Sequence, residues 1–250
     1  MPDPSARAWH LLLAGASLAL GLLAGRADAA PPAFEDTIAQ RTLACTACHG
    51  EQGRAGPDGY YPRLAGKPAG YLYNQLLNFR DGRRHYGLMT RMVELLSDDY
   101  LAEIARHFAA MDVPYPPPTA AVRADRAALE RGRQLALHGD PAARLPACAQ
   151  CHGRHLMGVQ PRFPALLGLP ADYLTAQLGG WRTGQRQAHA PDCMREVVRR
   201  LSDADAHAVV TWLAGQPVPD DHAPATQRPD ASSLAPDLDC GGTPLAGVRP

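Results

Sequence analysis

The chain has 250 residues, with 25 basic and 25 acidic side chains, no long run of either sign, and 24 Pro with 23 Gly. Balanced charge without a basic stripe excludes a nucleic-acid or polybasic membrane-binding surface. The Pro and Gly content excludes a chain built from a few long regular elements, and the length leaves room for two small lobes, each too small to be well stabilised without added core.

At the amino end, Arg7 precedes an uncharged stretch from Ala8 to Gly25 rich in Leu, Ala and Gly, followed by Ala27-Asp28-Ala29, a small-x-small cleavage site. This predicts a signal peptide over residues 1–29 and a mature chain from Ala30 in the periplasm, an oxidising compartment. An uncleaved membrane anchor is the alternative, because the stretch only just reaches spanning length.

Phe34, Ile38 and Leu43 recur at roughly helical spacing and predict a short helix ending in Cys45-Thr-Ala-Cys48-His49-Gly50. Two thiols three positions apart followed by an imidazole form a c-type haem attachment signature. Each sulfur adds to a porphyrin vinyl group, and His49 is then held under the macrocycle as proximal ligand. A glycine-rich loop to Gly59 and the turn-rich passage 62–68 follow. The spacing then predicts a helix over Ala69 to Arg80, with Leu72, Leu76 and Phe79 on one face. Ser97 is a candidate N-cap, with Asp98 and Asp99 in the first turn and Leu101, Ile104, Ala105 and Phe108 as the apolar stripe. Prolines 114, 116, 117 and 118 end this passage as a stiff linker running to Thr119.

The second half restarts the programme. Leu129, Leu135 and Leu137 belong to a lead-in helix, and Cys148-Ala-Gln-Cys151-His152-Gly153 repeats the haem signature, so the chain is expected to carry two covalently bound haem c groups. Pro62, Leu64, Gly66, Pro68, Tyr71, Leu72, Gln75, Leu76, Arg80 and Gly82 each recur 102 positions later, from Pro164 to Gly184, which marks an internal repeat. Ser202-Asp203-Ala204-Asp205 forms a capping box ahead of Val209, Val210 and Leu213. From Gln216 the chain is rich in Pro, Asp, Ser and Gly and reads as a poorly ordered tail except where tied down.

The second axial ligand decides between electron transfer and chemistry on a bound molecule. Met89 stands eight residues before Ser97 and Met194 eight before Ser202, each expected in a loop ahead of its domain's last helix. Met92 corresponds to Val197 and is assigned apolar packing, and Met111 and Met157 gap-filling. His85, His155 and His189 are imidazole rivals. Of six cysteines, Cys193 and Cys240 are left over, which suggests a disulfide; two unrelated thiols, or Cys193 as an iron ligand, are the other readings.

With both signatures, the repeated Pro-x-Leu-x-Gly-x-Pro-x-x-Tyr-Leu-x-x-Gln-Leu stretches and the Met-x6-Leu-Ser-Asp pattern in view, residues 38–216 resemble the dihaem cytochromes c of the c4 type. The resemblance implies a mainly α fold of two tandem class I cytochrome c domains, 30–118 and 119–219, with residues 220–250 as a carboxy-terminal tail. It implies attachment at Cys45, Cys48, Cys148 and Cys151, and axial pairs His49/Met89 and His152/Met194. The implied role is a periplasmic electron carrier between a respiratory donor, such as a quinol-oxidising complex or dehydrogenase, and a terminal oxidase, soluble but able to associate with membrane complexes. A cytochrome subunit of a periplasmic dehydrogenase is the alternative, and a dihaem peroxidase or sulfur-compound oxidase a third reading. One departure stands out: the family proline that helps seat the proximal histidine is present as Pro161, but the first half has Gly59 in its place.

Overall fold

The computed structural model describes residues 35–56, 59–117, 125–229, 238 and 240–246. The expected signal peptide, Ala30, Phe34 and Thr119 lie outside the described residues. Residues Thr37–Pro250 form one compact unit, and its described residues contain ten α-helices and only isolated β-bridges.

Helix boundaries follow local chemistry. The helix α1 (Ile38–Arg41) is separated from α2 (Leu43–His49) by Thr42, whose Oγ1 donates back to the Ile38 carbonyl at 2.8 Å. Such back-bonding competes with the helix ladder, so the single helix expected here is broken and the haem signature fills α2 rather than closing a longer helix. Next come α3 (Ala69–Arg80), α4 (Gly87–Val93) and α5 (Asp98–Ala109). The start of α5 is capped as expected, with Ser97 Oγ accepting the Tyr100 N–H at 3.3 Å. In the second half, α6 (Arg126–His138) leads to α7 (Cys148–His152), α8 (Ala171–Thr183), α9 (Cys193–Arg200) and α10 (Asp203–Ala214). Met89 and Met194 therefore lie on short helices, α4 and α9, where loops were expected.

Each half has its own core. In the first, Leu72, Leu77 and Phe79 of α3 pack with Val93 and with Leu101, Ile104 and Phe108 of α5. Phe108 is 1% exposed, a burial that contributes about 2 to 3 kcal/mol. In the second, Leu135 and Ala136 of α6 pack with Leu174 of α8 and with Val209, Val210 and Leu213 of α10. Met157 lies in this core at 3% exposure, as its gap-filling assignment requires, whereas Met92 is 48% exposed on the outer side of α4 and packs no core. The linker is pinned to the first half, where Arg63 donates to the Val113 and Pro114 carbonyls and lies over the Tyr115 ring.

The halves meet through paired backbone. Arg84 and Arg186 form an antiparallel bridge; the His85 N–H donates to Gln185 O at 2.8 Å, and the Gln187 N–H donates to Arg83 O at 2.7 Å. Adding 102 to 83 and 85 gives 185 and 187, so the two bonds exchange under the repeat and the junction has local two-fold symmetry. Beside it, the Tyr71 N–H at the start of α3 donates to Pro161 O at 3.0 Å.

The tail is more tied down than expected. Leu238 is 8% and Leu245 5% exposed, and Leu245 belongs to the core of the first half.

Candidate haem sites

His49 closes α2 and His152 closes α7, so each signature places two cysteines and an imidazole within about two helical turns. Both rings are buried, at 7% and 6% exposure. His49 Nδ1 lies 2.8 Å from Pro62 O, and His152 Nδ1 lies 2.8 Å from Pro164 O. A carbonyl can only accept, so Nδ1 carries the proton and Nε2 is left with its lone pair for a metal. Burial lowers the pKa of His49, against the bond to Pro62, and pulls that of His152 down to about 4, against the bond to Pro164. Both imidazoles are neutral near pH 7, the state that ligates.

These carbonyls answer the departure noted at Gly59. The bond to the imidazole comes from the proline of each Pro-x-Leu segment, so its geometry is equal in the two halves. Gly59 has φ +68°, which proline cannot adopt, and a Cβ there would stand 2.6 Å from Pro170 Cγ across the junction. Pro62 and Pro164 were in view as repeat partners, but their role as acceptors was not read from the sequence. The same register holds Tyr61 edge-on to His49 at 6.1 Å and Phe163 edge-on to His152 at 6.2 Å.

In the second half one cavity is lined by Cys148, Cys151, His152 and Met194, with Leu174, Leu178 and Val209 among its apolar walls. In the first half Cys45 and Met89 pack against the same core. His85 and His155 are exposed, and His189 Nε2 is engaged, 3.0 Å from Arg83 Nη2 and 3.2 Å from Thr243 Oγ1. Cys193 is disulfide-bonded to Cys240, with Cα atoms 5.0 Å apart, so its sulfur is not offered to iron. Burial pushes the thiols of Cys45 and Cys151 up, and that of Cys148 to about 11.

The cavity fits a haem in a further respect: its wall carries buried cations. Lys67 and Arg186 line it, 5% and 7% exposed, and Arg84 stands beside them. Arg84 donates to Gln75 at 3.0 Å and Gln177 at 2.6 Å; Arg186 donates to Gln177 at 2.7 Å, Gln75 at 3.2 Å and Tyr71 Oη at 3.3 Å. Burial drives the pKa of Lys67 down to about 8, and burial together with Arg84 lowers that of Arg186. Buried like charges held only by neutral groups call for an anion, and the two carboxylates of a haem are of the right chemistry. Arg84 and Arg186 were missed in the sequence although they continue the repeat, since 84 plus 102 is 186.

A buried, tautomer-fixed imidazole beside two cysteines, built twice on a helical frame, defines a c-type cytochrome with two haem domains. The family model for cytochrome c matches residues 129–216. The chain is 38% identical over 192 residues to a thiosulfate dehydrogenase electron acceptor from Thiomonas intermedia, covering 76% of this chain and 86% of that one. It is 33% identical over 206 residues to cytochrome c4 from Pseudomonas aeruginosa, covering 82% and 98%. Among solved structures, a thiosulfate dehydrogenase from Marichromatium purpuratum matches with a TM-score of 0.62 and 34% identity; the match covers 71% of this chain and spans 39% of that protein. The chain belongs to the dihaem cytochromes c of the c4 type. It is an electron carrier with two covalently bound haem c groups, and its partners are redox proteins.

Proposed function

We propose that Cys45 and Cys48 attach one haem, with His49 and Met89 as axial ligands, and that Cys148 and Cys151 attach the other, with His152 and Met194. When bound, each haem supplies a one-electron iron couple. Met194 sharing one cavity with His152, Cys148 and Cys151 carries this reading. The corresponding domains are residues 30–118 and 119–219, with residues 220–250 as a carboxy-terminal segment that returns to the fold. The proximal bonds from Pro62 and Pro164 hold each imidazole in orientation, and the apolar walls favour the lower-charge, reduced iron.

The protein is exported to the periplasm, a reading supported by the signal-like amino end and by a disulfide suited to an oxidising compartment. Its electron donor is a thiosulfate dehydrogenase, and it passes single electrons on to a terminal oxidase or other acceptor. The relatives named as that enzyme's electron acceptor, matched over most of their length, favour this donor over a quinol-oxidising complex. Rapid mixing of the oxidised protein with thiosulfate dehydrogenase and thiosulfate tests it by the rise of the reduced-haem α band. Fast reduction of both haems is expected; reduction only by a quinol-oxidising complex overturns the assignment. Co-elution with the dehydrogenase on gel filtration would make the protein a bound subunit, and separate elution a mobile carrier.

A further inference from the structure

Residues 240–246 tie one half of the molecule to the other. Cys240 is bonded to Cys193, the first residue of α9 and the neighbour of Met194. The Gly241 N–H donates to Pro191 O at 2.7 Å, and a Cβ on Gly241 would stand 2.3 Å from the Ala190 carbonyl oxygen, so the segment lies directly on the backbone ahead of α9. Cys240 O accepts from Arg162 Nη1 at 3.3 Å. Three residues on, the first half takes over. The Thr243 N–H donates to Asn74 Oδ1 at 2.8 Å while Thr243 O accepts from Asn74 Nδ2 at 2.9 Å. Leu245 enters the first core, and Ala246 O accepts from Arg106 Nη2 at 2.6 Å.

We propose that residues 240–246 are a positioning strap, anchored in the first domain's core, that holds the start of α9 and so keeps Met194 on the second domain's iron. The proposal rests on the reading of Met194 as axial ligand. The physical need is clear: α9 has eight residues, too few to be stable as an isolated helix, so its outside anchors decide how far it can move. A thioether is a weak ligand, and its retention depends on the peptide that carries it. The helix carrying Met89 lacks this device, since Leu88 occupies the position of Cys193 (88 plus 105 is 193) and cannot form a bridge. The molecule thus contains its own control.

The test uses the haem-loaded protein and three variants: Cys193→Ser with Cys240→Ser, Leu245→Ala, and Leu101→Ala as a first-core change outside the strap itself. Imidazole titration of the ferric protein reports how easily each methionine is displaced, with Met89→Ala assigning the two binding steps. Hydrogen exchange followed by mass spectrometry reports the mobility of α9. The double serine variant and Leu245→Ala should each raise imidazole affinity at the second iron on the order of tenfold, equivalent to about 1.4 kcal/mol, and speed exchange in α9; the double serine variant should leave the first iron unchanged. Unchanged affinity and exchange in both variants overturn the strap, as does an equal effect from Leu101→Ala. If Met194→Ala leaves the near-infrared sulfur-to-iron band at wild-type intensity, the ligand reading fails instead, and the strap proposal falls with it.

Discussion

At His152 the imidazole has one nitrogen committed to Pro164 and burial keeping the ring neutral down to about pH 4. Its folded pKa lies below the usual value near 6.5, so the stability that depends on the neutral ring is complete above that value and is lost as pH falls through about 4. An iron bond to Nε2 competes further with the proton. The low-spin absorption of the second haem is therefore expected to persist from neutral pH down through about 4 and to give way to a high-spin spectrum only at lower pH, followed by acid titration of the ferric protein. In the proposed axial pairs, methionine makes the complementary contribution by favouring reduced iron. Met89→Ala or Met194→Ala should each lower the potential of one haem by on the order of 100 mV, within the range that axial ligands span, and weaken the sulfur-to-iron band by about half; potentiometric titration measures the first effect. Met92→Ala should do neither, because that side chain is 48% exposed and packs no core.

Among the elements, α3 and the start of α5 were legible because their signals are local: the apolar spacing of Leu72, Leu76 and Phe79 in α3, and Ser97 with two aspartates opening α5. Ser97→Ala removes the acceptor for the Tyr100 N–H and should cost about 1 kcal/mol, the usual value of such a cap, read as a lower thermal midpoint of the first domain. The short helices α4 and α9 were not legible. Seven and eight residues give too little periodicity to mark a helix, and packing against the haem domains supplies what propensity does not. The Gly59 departure had a similar cause. Read along the chain, it looks like a lost proline; in the fold it is a left-handed turn pressed against Pro170. Gly59→Pro, which would copy the second half, should destabilise the first domain by about 2 kcal/mol or more, measurable by denaturant unfolding, and should not improve seating of His49.

For the molecule as a whole, the junction carries the electrostatics. Arg84 and Arg186 share Gln75 and Gln177 across the local two-fold, so a change at one alters the surroundings of the other. Oxidised haem iron carries one more positive charge than reduced iron, and a nearby cation therefore raises the potential. Arg186→Gln should lower the potential of the second haem by on the order of tens of millivolts, and by less at the first, in a spectroelectrochemical titration. A fall confined to protein stability, with potentials unchanged, would place these arginines outside the haem's field.

The sequence alone determined the chemistry and the plan of this protein. Cys-x-x-Cys-His is a local constellation whose geometry needs only one stretch of helix, and a constant offset of 102 residues makes two domains from one pattern. Two methionines at matching distances from Ser97 and Ser202 were enough to nominate ligands. What only the tertiary structure decided is everything that joins residues distant in the chain. Which carbonyl holds each imidazole depends on a loop that folds back within its own half; why Gly59 replaces a proline, how Arg84 meets Arg186, and where the segment after Cys240 goes depend on contacts between the two halves. Such contacts leave no periodicity in either half: a buried cation or a strap has no sequence spacing of its own, and its position is set by how the two halves meet.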